Sequence, residues 1–331
     1  MKKSMLSNLW PHSRAILKNG LTAWLYVMKL TIPALILTRL LLWFDLIPHV
    51  AAVFRPVMGL VGLPAEMALA WVAAMFASFY VAIAIYLSFI PIMEPLTVSQ
   101  ISTFASMALL CHSLLVEGSV CKASGLSFWR VTAFRLLSAV AFGLIIKQTT
   151  LLTGWGTEPA AMVGLLEMNG DPTPPWLDWA LISLKQTGLI LILIEALMLM
   201  MELVKYLGLT RLMAKVLGPP LRLAGVGERA LMVTVIGNVI GLGYGGGLIV
   251  AESRSGRLSP RDIFGAVMLM SVFHSIVEDA LLMWALGASL LWIVGLRLIF
   301  ALLVCGVITR LARRPGWRTV LVGRQLDLSQ G

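Results

Sequence analysis

The dipeptide His112-Ser113 recurs as His274-Ser275, 162 residues further on, and the likeness extends to both sides of it. At the same offset Glu66 falls on Glu228, Leu69 on Leu231, Leu96 on Leu258 and Ile101 on Ile263. Glu117 falls on Asp279, Ala123 on Ala285, Gly125 on Gly287, Arg135-Leu136 on Arg297-Leu298 and Ala139 on Ala301. No gap is needed between Glu66 and Ala139. An offset sustained over this length reads as an internal duplication, so two copies of one unit are expected.

The solvent of that unit follows from composition. Of 331 residues, 59% are apolar and 13% are charged, against about 25% charged in a soluble domain. Mean hydropathy is +0.90. Backbone polar groups in a bilayer must be satisfied within the chain, and long apolar runs do this as helices. The expected fold is therefore an all-α polytopic membrane protein. Its apolar stretches run over 21–43, 67–90, 99–116, 126–146, 179–203, 230–250, 263–286 and 289–309. Pro33 is expected to kink the first. Lys29 and Arg39, within it, must snorkel or find partners. Cys111, Cys121 and Cys305 lie in or beside apolar runs without CxxC spacing and imply no disulfide framework. The net charge of +10 fits cytoplasmic loops rather than nucleic acid, since no basic-aromatic module accompanies it. The N-terminus lacks the sustained apolar run of a cleaved signal peptide.

These runs divide the chain into a basic in-plane or flexible segment (1–20), a first repeat (21–146), a polar linker (147–178), a second repeat (179–309) and a basic tail (310–331). Lys and Arg gather in the N-terminal segment, in Lys205–Arg229, in Arg254–Arg261 and in the tail, which the charge rule places in the cytoplasm. Asp45–Gln100 and the linker are poor in them and are expected outside. Two basic loops then flank the glycine-rich run 230–250 on one side of the membrane. That run is expected to enter and return as a re-entrant or broken hairpin, and residues 67–90 to do so from the other face. Each half would cross three times, which inverts the second copy relative to the first. The alternative is a plain eight-span protein with parallel repeats.

Ionisable groups inside apolar helices are costly and commonly line substrate or ion paths. His112 and His274 could meet near a pseudo-two-fold axis. Glu278 lies four residues after His274, which puts both on one face of a continuous helix. Glu117 and Asp279 are repeat equivalents. These five residues are candidates for binding a proton, cation or solute, with His112, His274 and Glu278 as the ligands of any metal. Asn238 and Tyr244 in the glycine run are candidates for contacting a polar substrate. The competing reading is structural: Arg135 paired near His112 or Glu117, Arg297 near Glu278 or Asp279, and Glu195 with Lys29. Gly241-Leu242-Gly243-Tyr244-Gly245-Gly246 fits GxGxxG formally, but it lacks the strand–turn–helix context of a dinucleotide site. No nucleophile elbow, HExxH or P-loop is present, so no enzyme and no cofactor is expected.

The run Gly237-Asn238-x-x-Gly241-Leu242-Gly243, followed by a polar loop and an apolar helix, resembles the nucleoside-recognition or Gate domain. That domain occurs in bacterial spore-maturation membrane proteins and in the membrane core of ferrous-iron transporter B proteins. The duplicated arrangement resembles paired Gate domains over roughly residues 25–310. Phe76 and Phe79 stand where Asn238 and Gly241 stand in the second half, so the second half carries the motif. No P-loop of a GTPase domain like that of the iron transporters is found in these 331 residues, so iron transport by that route is not expected. The resemblance implies a transporter or channel-like protein of the bacterial inner membrane, with cytoplasmic termini and a solute or ion site between inverted repeats. Its partners would be the bilayer and that solute or ion, with no nucleic acid and possible homo-oligomers. The alternative function is a non-transporting scaffold or assembly subunit.

Overall fold

The computed structural model describes residues 2–44, 46–162, 174–240, 247–252 and 256–312. The first half comprises α1 (Lys2–Trp43), α2 (Ile47–Val61), α3 (Met67–Phe76), α4 (Phe79–Phe89), α5 (Val98–Cys111), α6 (Leu114–Ala123) and α7 (Phe128–Thr153). The second comprises α8 (Trp176–Tyr206), α9 (Leu209–Leu223), α10 (Leu231–Ile240), helical residues 247–252, α11 (Pro260–Val272), α12 (Glu278–Ala285) and α13 (Arg297–Leu311). A π-helical turn, Leu291–Leu296, leads into α13. Among the described residues there is no strand beyond one isolated bridge, Thr97 to Pro159. Four helical stretches are long and apolar enough to span a bilayer: Val98–Ala123, Phe128–Thr153, Trp176–Ala196 and Leu291–Leu311. The chain is an all-α polytopic membrane protein.

Element bounds recur at the offset seen in the sequence. The helix Ile47–Val61 is matched by Leu209–Leu223, 162 residues on at both ends. The segment Lys205–Arg229, expected as a loop, therefore contains a full helix. The run 67–90 is two short helices that pack on each other, parted at Ala77 and Ser78. At about 1.5 Å per residue each is about 15 Å long, half the hydrocarbon thickness. α1 passes through residues 20–21 and Pro33 as one helix, with no break at the expected segment boundary. Gly241–Gly246 and the tail from 313 lie outside the described residues.

The largest departure from expectation concerns the histidine-bearing helices. Both are broken, one between Cys111 and Leu114 and the other between Val272 and Glu278. Each begins with a capping box. Thr97 Oγ1 accepts from the Gln100 N–H at 3.2 Å while the Gln100 side chain accepts from the Thr97 N–H at 3.0 Å. Ser259 and Asp262 do the same at 3.2 and 3.4 Å. The first ends with His112 as its C-cap and the second with Phe273, one residue before His274, and the serine after each histidine is left-handed: Ser113 at φ 48° and Ser275 at φ 49°. A non-glycine residue in that region costs energy and persists where its surroundings hold it. Here the short preceding helix holds it. Ser113 N–H donates to the Ala74 carbonyl at 2.8 Å, and Ile276 N–H donates to the Asn238 carbonyl at 3.0 Å.

Contacts at the helix ends give the directions. The start of α5 is pinned to the linker, with Ser99 N–H donating to the Gly156 carbonyl at 2.8 Å and Ala160 N–H to the Leu96 carbonyl at 2.9 Å. The far end of α12 arrives at the same place, where Gly287 lies against Ala160 and Ala161 and Ser289 N–H donates to Ser102 Oγ at 2.9 Å. α11 begins at the other end, beside Gly225 and the last turn of α13. The two broken helices therefore run in opposite senses and meet at their breaks. α5 is buried from Ile101 to Cys111, where Ser102, Thr103, Ala105, Ser106 and Ala108 let backbones approach closely. α1, α4 and α8 make a second cluster through Met28, Leu35, Ala84, Ile190 and Ile194.

Gly265 on α11 faces the backbone of Gly225, and a Cβ there would lie 2.6 Å from its carbonyl oxygen. Backbone cannot yield as a side-chain tip can, so Gly265→Ala is expected to destabilise by about 1–3 kcal/mol. The check is thermal unfolding of the detergent-solubilised protein. A melting temperature equal to wild type would contradict this packing.

Candidate functional site

The two helix breaks face each other, and the histidine within each break projects toward the other. His112 Nε2 and His274 Nε2 are 3.2 Å apart. The rings are tilted, with centroids 4.9 Å apart. Glu117 Oε1, from the first turn of α6, lies 3.1 Å from His112 Nε2 and 3.0 Å from His274 Nε2. Asp279 Oδ2, from the first turn of α12, lies 3.7 Å from His112 Nε2. A helix start favours a carboxylate, and each half supplies one at the same repeat position. All four residues are buried, His274 most completely at 1% exposure.

Each ring's far nitrogen is also engaged. His112 Nδ1 meets the Ala108 carbonyl at 3.2 Å, and His274 Nδ1 meets the Met270 carbonyl at 2.7 Å. Both carbonyls lie four residues back on the ring's own helix. A carbonyl only accepts, so Nδ1 carries the hydrogen of a neutral ring and Nε2 presents a lone pair. Two such lone pairs then face the Glu117 Oε1 atom, with Asp279 Oδ2 beside the His112 lone pair. Acceptors alone repel one another there, so the arrangement is complete only with a proton or a cation between them.

The arginines complete each break. Arg135 donates from Nη2 to the His112 carbonyl and from Nε to the Leu110 carbonyl, both at 3.0 Å. Its Nη2 also lies 2.6 Å from Glu117 Oε2, a buried ion pair. Arg297 donates from Nη2 to the His274 carbonyl at 3.2 Å and sits over the Phe273 ring, 5.0 Å from its centroid. Both arginines are almost wholly buried. The carbonyls released by each helix break thus find a charged donor rather than water.

Several sequence expectations change here. Glu278 does not share a helix face with His274, because the helix breaks between them; its carboxylate accepts from Tyr80 Oη at 2.9 Å. The residues whose ligand atoms cluster as a metal would need are His112, His274 and Asp279, not Glu278. Among the described residues Arg297 makes no ion pair with Glu278 or Asp279; it reaches a backbone carbonyl instead. Glu195 makes none with Lys29, whose side chain points outward from α1. Arg39 donates to the Pro174 carbonyl and stacks over Trp176. Asn238 is fully buried beside the second break, and among the described residues neither its side-chain oxygen nor its nitrogen has a partner. Tyr244 lies outside the described residues. Tyr80 was not singled out from the sequence; no periodic signal separates it from its apolar neighbours on α4.

Comparison with known proteins adds a coarse statement. The chain is 26% identical over 301 residues to the uncharacterized membrane protein YvoD of Bacillus subtilis (strain 168), covering 90% of this chain and 93% of that protein. No family model matches the chain, and no solved structure matches it. Together with its apolar helices, this relative identifies an integral membrane protein.

The Glu117–Arg135 pair makes a stability prediction. Glu117→Gln leaves the Arg135 charge buried without its partner and should cost about 3–5 kcal/mol. The double variant Glu117→Gln/Arg135→Met should lose less than the sum of the single losses, a coupling of roughly 1–3 kcal/mol. Denaturant unfolding in detergent measures both; additive losses would mean the pair is not energetically joined.

Proposed function

We propose that the chain is a transporter or channel-like protein that carries a small solute or ion through a site between two inverted repeats. The observation that carries this reading is the meeting of two broken helices at His112 and His274, with Glu117 and Asp279 between them. Broken helices place ion and substrate sites near the bilayer midplane in transporters built of inverted repeats. His112 lies close to the centre of the span Val98–Ala123, which supports a midplane position. The resemblance to paired Gate domains, read from the sequence, points to the same class of function. In this reading the cluster binds a proton or cation and Asn238 offers its unpartnered amide to a polar group. The protein performs no covalent chemistry. It resides in the bacterial inner membrane with both termini in the cytoplasm.

The burial of the cluster corresponds to an occluded state. A second reading also draws on this burial: paired and dry polar groups are what a non-transporting scaffold would need to hold two halves together. The test is flux in sealed proteoliposomes loaded with a pH-sensitive dye, with candidate ions and polar solutes supplied outside. His274→Ala should lower flux at least about tenfold, as loss of a direct ligand does, while the yield of monodisperse protein is unchanged. Flux equal to wild type would remove the site from the pathway. Absence of flux in the wild type across all solutes would favour the scaffold.

A further inference from the structure

Building on the transport reading above, we infer that the paired-histidine cluster is a binding site for one divalent transition-metal ion of zinc's coordination class. The donors are His112 Nε2, His274 Nε2 and Asp279, whose ligand atoms all lie within 4.8 Å of one another, joined by Glu117 Oε1, which lies against both histidine nitrogens. Their separations carry the argument. A tetrahedral ion with ligands at about 2.0–2.1 Å holds those ligands about 3.3 Å apart. The cluster gives 3.2 Å between the histidine nitrogens, 3.1 and 3.0 Å from them to Glu117, and 3.7 Å from His112 to Asp279.

The surroundings are an independent observation. Metal-binding histidines almost always donate their other ring N–H to a carbonyl or carboxylate, which fixes the tautomer and aims the lone pair at the ion. Ala108 and Met270 supply those carbonyls, one in each half. Arg135 steadies Glu117 from behind through its second oxygen. Two imidazoles in the set select against calcium and magnesium, which take oxygen ligands, and suit zinc, cobalt, nickel or ferrous iron. Two donors come from each half, so the bound ion would join the halves at their breaks. Opening either break would withdraw two of the four ligands, which gives transport a way to release the ion.

The experiment is titration of Co²⁺ into the full-length protein in detergent, read by visible absorption. Tetrahedral Co²⁺ absorbs strongly and octahedral Co²⁺ weakly. The expected result is an intense tetrahedral spectrum saturating at one Co²⁺ per chain and removed by one equivalent of Zn²⁺. Asp279→Asn and His112→Gln should each weaken binding at least about tenfold, with elution profiles matching wild type. Glu278→Gln should leave it within about twofold, since that side chain faces Tyr80. Absence of the tetrahedral spectrum at saturating Co²⁺ would overturn the inference. So would a spectrum unchanged in both Asp279→Asn and His112→Gln. Binding as described without flux of any ion would uphold the metal site and sink the transport reading. Flux that needs His274 but is accompanied by no tetrahedral spectrum would do the reverse.

Discussion

A helix that breaks inside a bilayer must find new partners for the backbone groups it frees, because no water is there to take them. In this chain two arginines carry that burden. Arg135 closes the break after His112 and Arg297 closes the break after His274, each by donating to the carbonyl of the histidine itself. The short helices before them supply the acceptors for Ser113 and Ile276. With both ends of each gap satisfied, the strained left-handed serines are tolerated, and the histidine rings are free to point across rather than along the helix. Everything about the site depends on those two breaks.

Once the breaks exist, the chemistry follows from direction. The broken helices run in opposite senses, so their gaps coincide instead of lying at separate depths. Each break contributes one imidazole with its Nδ1 tied to its own helix and one carboxylate from the turn that follows. The result is a compact, buried set of acceptors, drawn equally from both halves. The two carboxylates differ in company: Glu117 is held by Arg135 at 2.6 Å, whereas Asp279 has no ion pair to an arginine among the described residues. Near-symmetry therefore gives way to one fixed and one freer acid. Asn238 beside the second break has no counterpart in the first half, where Phe76 stands.

Much of this was legible in the sequence, for identifiable reasons. The offset of 162 residues marked the pairs His112 with His274, Glu117 with Asp279 and Arg135 with Arg297 before any contact was known. The apolar runs and sparse charge fixed the solvent. The breaks were not legible, because a serine in an apolar helix carries no warning when its left-handed conformation is imposed by a neighbouring helix. That single gap in the reading misplaced Glu278, which four-residue spacing put beside His274 only if the helix was continuous. It also sent Arg297 to a carboxylate, since an exposed carbonyl was not foreseen. One signal was available: Thr97-x-x-Gln100 and Ser259-x-x-Asp262 are capping boxes at the same offset, and they fix where both broken helices start. The helix pair Ile47–Val61 and Leu209–Leu223 extends the duplication to residues whose sequences have diverged.

The account stands or falls on whether the two halves are inverted across the membrane. Lys122 and Trp284 occupy equivalent repeat positions at the far ends of α6 and α12, and both side chains are exposed. With the three native cysteines replaced, Lys122→Cys and Trp284→Cys can be probed in intact cells with a membrane-impermeant thiol reagent. Inversion predicts that Trp284→Cys reacts from outside, while Lys122→Cys reacts only after the cells are opened. Reaction of both positions from the same side would mean parallel copies. The two histidines could not then be brought together by opposed broken helices, and the account would be wrong.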